Sequence, residues 1–286
     1  MRPTCRWGLP ISLIRLEGPD ARRFLHGQSS QAIELAQPGS CLPTCLISPT
    51  ARMRGLALAC IDASGIDLLV VAGDGDTIRT QLDRVLFPAD KVKLGPVDSA
   101  TLWQWQGEPP NHEADLLRPG VDLGSGAGAA VWLQRAGQGL PGWLSDLQDL
   151  EPGAIEANRL RHGLPAAPAE LNDETNPFEL GLAPWVSLNK GCYVGQETLA
   201  KLATYDGVKQ QLRHWRSDTP VAPGTSLSTS AGERAGLITS AQGCEGLALV
   251  RRSCLEHATL LAAETPLQVS VPLGFVAPPV GAGGQG

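Results

Sequence analysis

Long apolar runs are missing from this 286-residue chain: no window approaches the roughly 18–20 apolar residues that a bilayer-spanning helix needs. The opening MRPTCRWGLPISLIRLEG is interrupted by Arg15 and Glu17 and builds no apolar signal core, so it does not read as a secretory leader. These two absences predict a cytoplasmic protein with no membrane association. Charge is sparse as well, with Asp, Glu, Lys and Arg at 18% of residues, below the usual quarter or so. The formal net charge of −6, from 29 acidic and 23 basic side chains, disfavours phosphate neutralisation along a duplex, and no direct binding of duplex nucleic acid is expected. Lysine is the scarcest charged residue, at five in the whole chain. No repeat of 20–50 residues is present, which excludes solenoids and propellers. The 42% of hydrophobic residues is enough for real cores, and the length suggests about two domains.

Several chemical signatures are also missing. There is no CxxC, no HxxxH and no GxSxG, and the five histidines show no ligand spacing. Cys41-Leu-Pro-Thr-Cys45 lacks the second ligand pair of a zinc site, so no metal is expected and its cysteines read as small buried apolar residues. Seven cysteines, an odd number in a chain without a leader, suggest reduced thiols. Ser187-Leu188-Asn189-Lys190 spells SxxK without the companion SDN and KTG boxes. LLVVAGDGDTIRTQL resembles a phosphate cradle, but its third glycine is absent and Asp74 and Asp76 would repel phosphate, so it reads as a structural turn. Trp103 and Trp105 share one face of a strand and read as core.

What is present is a mixture of strands and helices without a βαβ rhythm, which predicts an α+β fold. ISLIRLEG, GLALACI, DLLVVAG and TLWQWQG read as strands, and ARRFLHG, closed by Gly27, as a short helix. In DTIRTQLDRVLF, Ile78, Leu82, Val85 and Leu86 make one helical face with Asp76 as its cap, and PGAIEANRLRHGLP is a helix stopped by Gly163 and Pro165. Residues 107–130, rich in Gly, Pro and Ala, read as an irregular excursion, with GSGAGAA (124–130) a loop. After Asp206 the segments VKQQLRHW, RAGLITSA, LALVRR and LQVSV predict a small barrel or sandwich. The expected division is 1–205 as the main region, in two α+β subdomains with a boundary near 95–150, then a β-barrel over 206–276 and a disordered tail over 277–286.

The densest chemistry lies in NKGCYVGQETLAK, 189–201. Two of the five lysines flank one cysteine there, and Gly191 and Gly195 bracket Cys192-Tyr193-Val194. QETLAKLA predicts a helix starting near Gly195. A cysteine just ahead of a helix start feels the positive end of the dipole, and Lys190 adds a cation; both favour the thiolate. Gln196 and Glu197 in the first turn can cap amides or bond a ligand. The competing reading is a tight turn whose glycines supply positive φ and whose cysteine is merely small.

KGCYVGQE, Lys190 to Glu197, resembles the signature of the YgfZ family of folate-binding proteins, which aid iron–sulfur enzymes and are themselves similar to the T-protein aminomethyltransferases of glycine cleavage. DETNPFELGLAPWVSLNK (173–190), GPDARRFLHGQSSQAI, NRLRHGLP, GLITSA and LALVRR extend the resemblance at lower density. Ser30 keeps a family hydroxyl, while Gln31 and Ala32 depart from the pattern, as does Thr50-Ala51-Arg52.

The resemblance implies a T-protein-like folate-binding fold, with mixed sheets and flanking helices around a central pocket, plus the small C-terminal barrel. It implies tetrahydrofolate or a one-carbon derivative as cofactor, held by the carboxylate of Glu179 with Tyr193, Gln196 and Glu197 nearby. Cys192, tuned by Lys190, would face the one-carbon end in a cavity shared with Glu179. The implied role is support of iron–sulfur cluster assembly or repair and, through it, tRNA thiolation, with iron–sulfur enzymes or assembly proteins as partners. Two alternatives stay open. One is a folate-dependent aminomethyltransferase or demethylase, disfavoured because Thr80 stands where that group has an assisting aspartate, with Asp76 and Asp83 nearby. The other is a non-catalytic adaptor.

Overall fold

The long first strand, β1 (Cys5–Glu17), pairs with two neighbours along its length and organises a sheet buried on both faces. The structure, a computed structural model, describes residues 4–107, 116–124 and 130–281. After β1 come α1 (Ala21–Gln28), β2 (Cys41–Ile47), β3 (Met53–Ile61), β4 (Gly65–Ala72), α2 (Gly75–Arg84) and β5 (Lys93–Gln106). The chain continues through β6 (Leu116–Leu117), β7 (Val131–Arg135), α3 (Gly142–Ser145), β8 (Gln148–Asp149) and α4 (Pro152–His162). A long irregular segment leads to α5 (Gln196–Thr204). The sheet order is β2-β3-β4-β1-β5-β7-β6, with β8 parallel to β1. Strands β5 to β8, which span the expected subdomain boundary near 95–150, thus join the same sheet as the first four.

Strand alternation explains why these runs are nearly continuous in apolar residues. Odd positions Ile11, Leu13, Leu69 and Val71, with Leu56 and Leu58 of β3, face one core; Ile14, Leu16, Leu68 and Val70, with Ala57 and Ala59, face another. Helices α1 and α2 cover the second face through Ala21, Phe24, Leu25, Ile78 and Leu82. The first face receives the irregular segment, through Phe178, Leu180, Leu182, Trp185 and Tyr193, together with Leu160 and Leu199. The cap of α2 is Asp74, whose carboxylate accepts from the Thr77 amide at 2.7 Å, and the expected Asp76 lies in the first turn.

The remaining strands are β9 (Gln210–Arg216), β10 (Ser226–Ser228), β11 (Arg234–Gln242), β12 (Glu245–Arg251), β13 (Thr259–Ala262) and β14 (Thr265–Ser270). They close into a barrel in the order β10-β11-β12-β9-β14-β13, resolving the barrel-or-sandwich alternative. Trp215, Ile238, Ala248, Val250, Leu260 and Leu267 fill it. Outer-face residues Leu212, Leu247 and Leu249 instead join the main core, so the barrel is docked rather than tethered. Buried Glu170 reinforces the seam by accepting from Ser240 Oγ at 2.7 Å and from the Ala166 amide at 3.0 Å.

One sequence expectation changes. Cys41 and Cys60, expected as reduced thiols, face each other across β2 and β3 and form a disulfide. The loop expected at 124–130 and the tail at 277–286 fall partly on residues 125–129 and 282–286, outside the described residues. Among the described residues no helix is long and apolar enough to cross a membrane.

The chain leaving the barrel laces back to the main body: the Leu273 and Gly274 amides donate to the Arg161 and His162 carbonyls, and the Val276 amide donates to the Gly181 carbonyl, each at 2.9 Å. Gly181 has φ 74°, and a Cβ there would lie 2.2 Å from the Phe275 ring. Gly181→Ala therefore meets both backbone strain and a ring that cannot yield without unlatching this return. The expected loss is about 2–3 kcal/mol in urea unfolding, with Phe275→Ala in the same background recovering part of it.

Candidate functional site

The segment 187–195 is tied to α1 at several points. The C-terminal carbonyls of a helix have no intrahelical partner, and here a lysine supplies one. Lys190 Nζ donates to the carbonyls of His26, of Ser29 at 2.7 Å and of Gln31 at 2.8 Å. The Glu34 amide donates to His26 Nδ1 at 3.2 Å, which leaves the ring proton on Nε2 to donate to the Lys190 carbonyl at 2.8 Å. Ser187 and Val194 amides donate to the carbonyls of Ser30 and Gly27 at 2.8 and 3.0 Å. Lys190 is 7% exposed, and burial pulls its pKa down to about 7. The sequence expects this lysine to tune Cys192; the structure commits its ammonium to three carbonyls and to the face of the Tyr193 ring, 4.5 Å from the ring centroid.

Both glycines of the loop have positive φ, for different reasons. Gly191, at 93°, has open space around it and is needed only for its backbone conformation. Gly195, at 82°, also packs on the turn after β2, where a Cβ would lie 2.8 Å from the Ser48 carbonyl oxygen. Between them Cys192 is exposed and Tyr193 is buried. Among the described residues the Tyr193 hydroxyl has no hydrogen-bond partner, and burial pushes its pKa up. Cys45, close to Tyr193, is fully buried, and burial pushes its thiol up to about 12, so Cys192 is the thiol of this neighbourhood open to chemistry. Helix α5 starts at Gln196 with Gly195 as its cap residue. Glu197 pairs with Lys201 at 2.6 Å in solvent, and that bond holds its carboxyl below the usual range.

Glu179 lies at the seam between the main body and the barrel and is 5% exposed. Its Oε2 accepts from the Asn176 amide at 3.0 Å, its side chain also bonds Gln210, and its carbonyl accepts from the Leu212 amide of β9 at 2.7 Å. Asn176 Oδ1 accepts from the Phe178 and Glu179 amides, at 3.0 and 3.1 Å, and so fixes the turn that presents the carboxylate. Burial raises the Glu179 pKa, opposed by those hydrogen bonds and by the charges of Arg52 and Lys209. Beside it a cavity of about 410 Å³ is lined by Asn172, Thr175, Gln210, Arg234, Thr239 and Arg251 among others.

Neither Glu179 nor Cys192 lines the cavities of about 440, 170, 410 or 330 Å³. The Gly195 end of the Cys192 loop and Glu179 share a neighbour instead. The turn 48–52 packs on Gly195 at one end and places the Arg52 charge near Glu179 at the other. The donor set suits a pterin in kind. A carboxylate has about four acceptor positions, and Glu179 uses some of them on Asn176 and Gln210. Two hydroxyls near the site, of Tyr193 and Thr239, lack partners among the described residues. The described residues hold no group of three or more His, Cys, Asp or Glu arranged for a metal ion.

Comparison with known proteins adds to this geometry. Residues 209–274 match the family described as CAF17, C-terminal beta-barrel domain. A chloroplastic protein of Arabidopsis thaliana is 31% identical over 258 residues, covering 80% of this chain and 60% of that protein. The mitochondrial iron–sulfur cluster assembly factor IBA57 of Homo sapiens is 26% identical over 272 residues, covering 84% of this chain and 75% of its own. The glycine cleavage system aminomethyltransferase T from Bartonella henselae superposes with a TM-score of 0.77 at 18% identity, over 97% of this chain and 88% of that one. The fold is therefore that of the T-protein aminomethyltransferases, closed by a CAF17-type barrel. Within that fold the chain is similar to CAF17 over the barrel and to IBA57 over most of its length.

Sequence reading missed His26, whose tautomer sets the loop, and Glu170; the place of His26 in the last turn of ARRFLHG was the available signal. Two measurements check the site. Lys190→Met leaves three carbonyls without their donor and should cost on the order of 3 kcal/mol in urea unfolding. Glu179→Gln keeps an acceptor for Asn176 while removing a buried charge. The raised pKa means folding favours the protonated acid; that stability is present below the ordinary carboxylate range near 4.3 and is lost as pH rises through the raised value. The variant should melt a few degrees above wild type at neutral pH, with the gap closing as pH falls to about 4.

Proposed function

We propose that this protein binds tetrahydrofolate or a one-carbon derivative and supports iron–sulfur cluster assembly or repair, and through it tRNA modification, in the cytoplasm. The observation that carries the reading is the exposed Cys192 thiol on a loop clamped by Lys190, His26 and Gly195. A nucleophilic sulfur presented this way suits reaction with a cluster, a one-carbon unit or a reactive product. The likeness to IBA57, an assembly factor by name, supports the iron–sulfur role, and the T-protein-like fold supports the folate.

In this reading Glu179 receives adjacent N–H donors of the pterin's amino-pyrimidinone edge, as one carboxylate can accept both. Tyr193 and Gln196 contribute from the loop and the start of α5. The folate supplies a carrier for a one-carbon unit; the chain supplies orientation, exclusion of water and the thiol. An aminomethyltransferase is the second reading, and no contact favours it. Thr80 is exposed on α2, which covers the sheet face opposite Phe178 and Leu180.

Calorimetry with tetrahydrofolate should show saturable binding to wild type and a loss of at least about tenfold in affinity for Glu179→Gln, the size expected for one charge-assisted hydrogen bond. Cells carrying Cys192→Ser as their only copy should show reduced activity of iron–sulfur enzymes at unchanged protein level. Absence of folate binding by wild type would remove the cofactor assignment, and full enzyme activity in the serine variant would remove the role of the thiol.

A further inference from the structure

Away from Cys192 and Glu179, the outer face of the barrel turns from apolar to basic along one strand. On β9, Leu212 is buried against the main core, while His214 and Arg216, two and four residues further on the same face, line a separate cavity of about 440 Å³. Strand β14 pairs Ser270 with His214 and Gln268 with Arg216, which puts two neutral hydrogen-bonding side chains beside the cations. Arg161, from the last turn of α4, lines the same cavity from across the seam, and Val271 and Leu273 make its apolar wall.

The polar groups there are incompletely matched. Glu245 on β12 is the carboxylate of the cluster, with Arg161 Nη2 and His214 Nε2 each 3.3 Å and Arg216 Nε 3.4 Å from its oxygens. Two guanidinium charges against one carboxylate leave the cluster positive even with a neutral imidazole. Among the described residues Arg161 makes one side-chain hydrogen bond and Arg216 makes none, although each guanidinium offers five donors. His214 is 6% exposed, and its Nε2 lies within ion-pair distance of Glu245 Oε2 without the alignment of a hydrogen bond, so both atoms are buried and unsatisfied. A buried unpaired polar atom costs free energy until something pairs with it.

We infer that this cavity is a second ligand site, between α4 and the barrel, for a small molecule carrying a phosphate monoester. The phosphate oxygens accept from Arg161 and Arg216, with Gln268 and Ser270 at the flank and the His214 ring behind them against Glu245, while the organic part lies on Val271 and Leu273. Guanidinium forks match phosphate geometry, and a concave 440 Å³ space suits a small molecule better than a flat protein surface does. Burial lowers the His214 pKa against the opposing pull of Glu245, with Arg216 and Arg161 adding to the lowering. An anion neutralises the arginines and favours the imidazolium, so binding should tighten as pH falls toward the ordinary histidine range.

The test titrates phenyl phosphate and inorganic phosphate by calorimetry at constant ionic strength. Sulfate, whose charge is constant over about pH 5–8, is the probe for the pH dependence. Phenyl phosphate should bind wild type saturably and at least about tenfold tighter than inorganic phosphate. Arg216→Gln should weaken it at least about tenfold, and His214→Asn should abolish the pH dependence of sulfate binding, both relative to Arg23→Gln as a surface-charge control. Thermal melts establish that each variant is folded. No saturable binding to wild type, equal affinities for the two phosphates, or an unchanged affinity in Arg216→Gln would each overturn the assignment.

Discussion

A buried ammonium closing the end of a helix is the contact on which the arrangement of this protein turns. Lys190 reaches back more than 150 residues in sequence to carbonyls in the last turn of α1 and just beyond it, and His26 returns a hydrogen bond to the Lys190 backbone. Such a group is costly to bury alone, so its three acceptors are a condition of the fold and not an ornament. The same contact fixes the start of the KGCYVGQE loop, while Gly195 fixes its end on the turn after β2. Only the middle of the loop faces solvent, and the cysteine is there. The chemistry of the thiol and the integrity of α1 are therefore linked through one side chain.

The two-faced sheet explains how the rest is distributed. Its helix-covered face holds α1 and α2 and serves as scaffold. Its other face carries the irregular segment with Glu179, the helix α5 and the outer wall of the barrel. Long irregular chain over a rigid sheet is where binding residues tend to collect. The barrel is filled by its own core and also completes that of the main body, with the return segment 271–276 as its latch. The two clefts beside the barrel differ in character. The one near Glu179 adjoins a buried carboxylate, and the one near His214 is governed by two arginines that share a single carboxylate.

Much of this was legible in the sequence, because it rests on patterns that side chains write locally. The runs at β3 and β4 are apolar at both odd and even positions, as strands buried on two faces must be. The change after Asp206 to short segments divided by Pro, Gly and Ser announced the barrel. Strand β2 was missed because it is an edge strand containing Pro43, and with it the opposition of Cys41 and Cys60. The contacts of Lys190 were illegible for a different reason: its partners are main-chain carbonyls, which leave no mark on residue identity, while Cys192 is its visible neighbour in the sequence. The arginine and histidine cluster on the barrel escaped notice because its members come from α4, β9, β12 and β14 and meet only in three dimensions.

The claim at the centre is that the clamped loop presents Cys192 to the folate held through Glu179, and the thiol itself can report this. The rate of Cys192 alkylation by iodoacetamide, followed by mass spectrometry in the absence and presence of saturating tetrahydrofolate, reads whether ligand and sulfur share a space. The account predicts that the ligand slows alkylation of wild type several-fold and has no effect in Glu179→Gln at the same concentration. An unchanged rate in wild type, at a folate concentration shown by calorimetry to saturate it, would contradict the account.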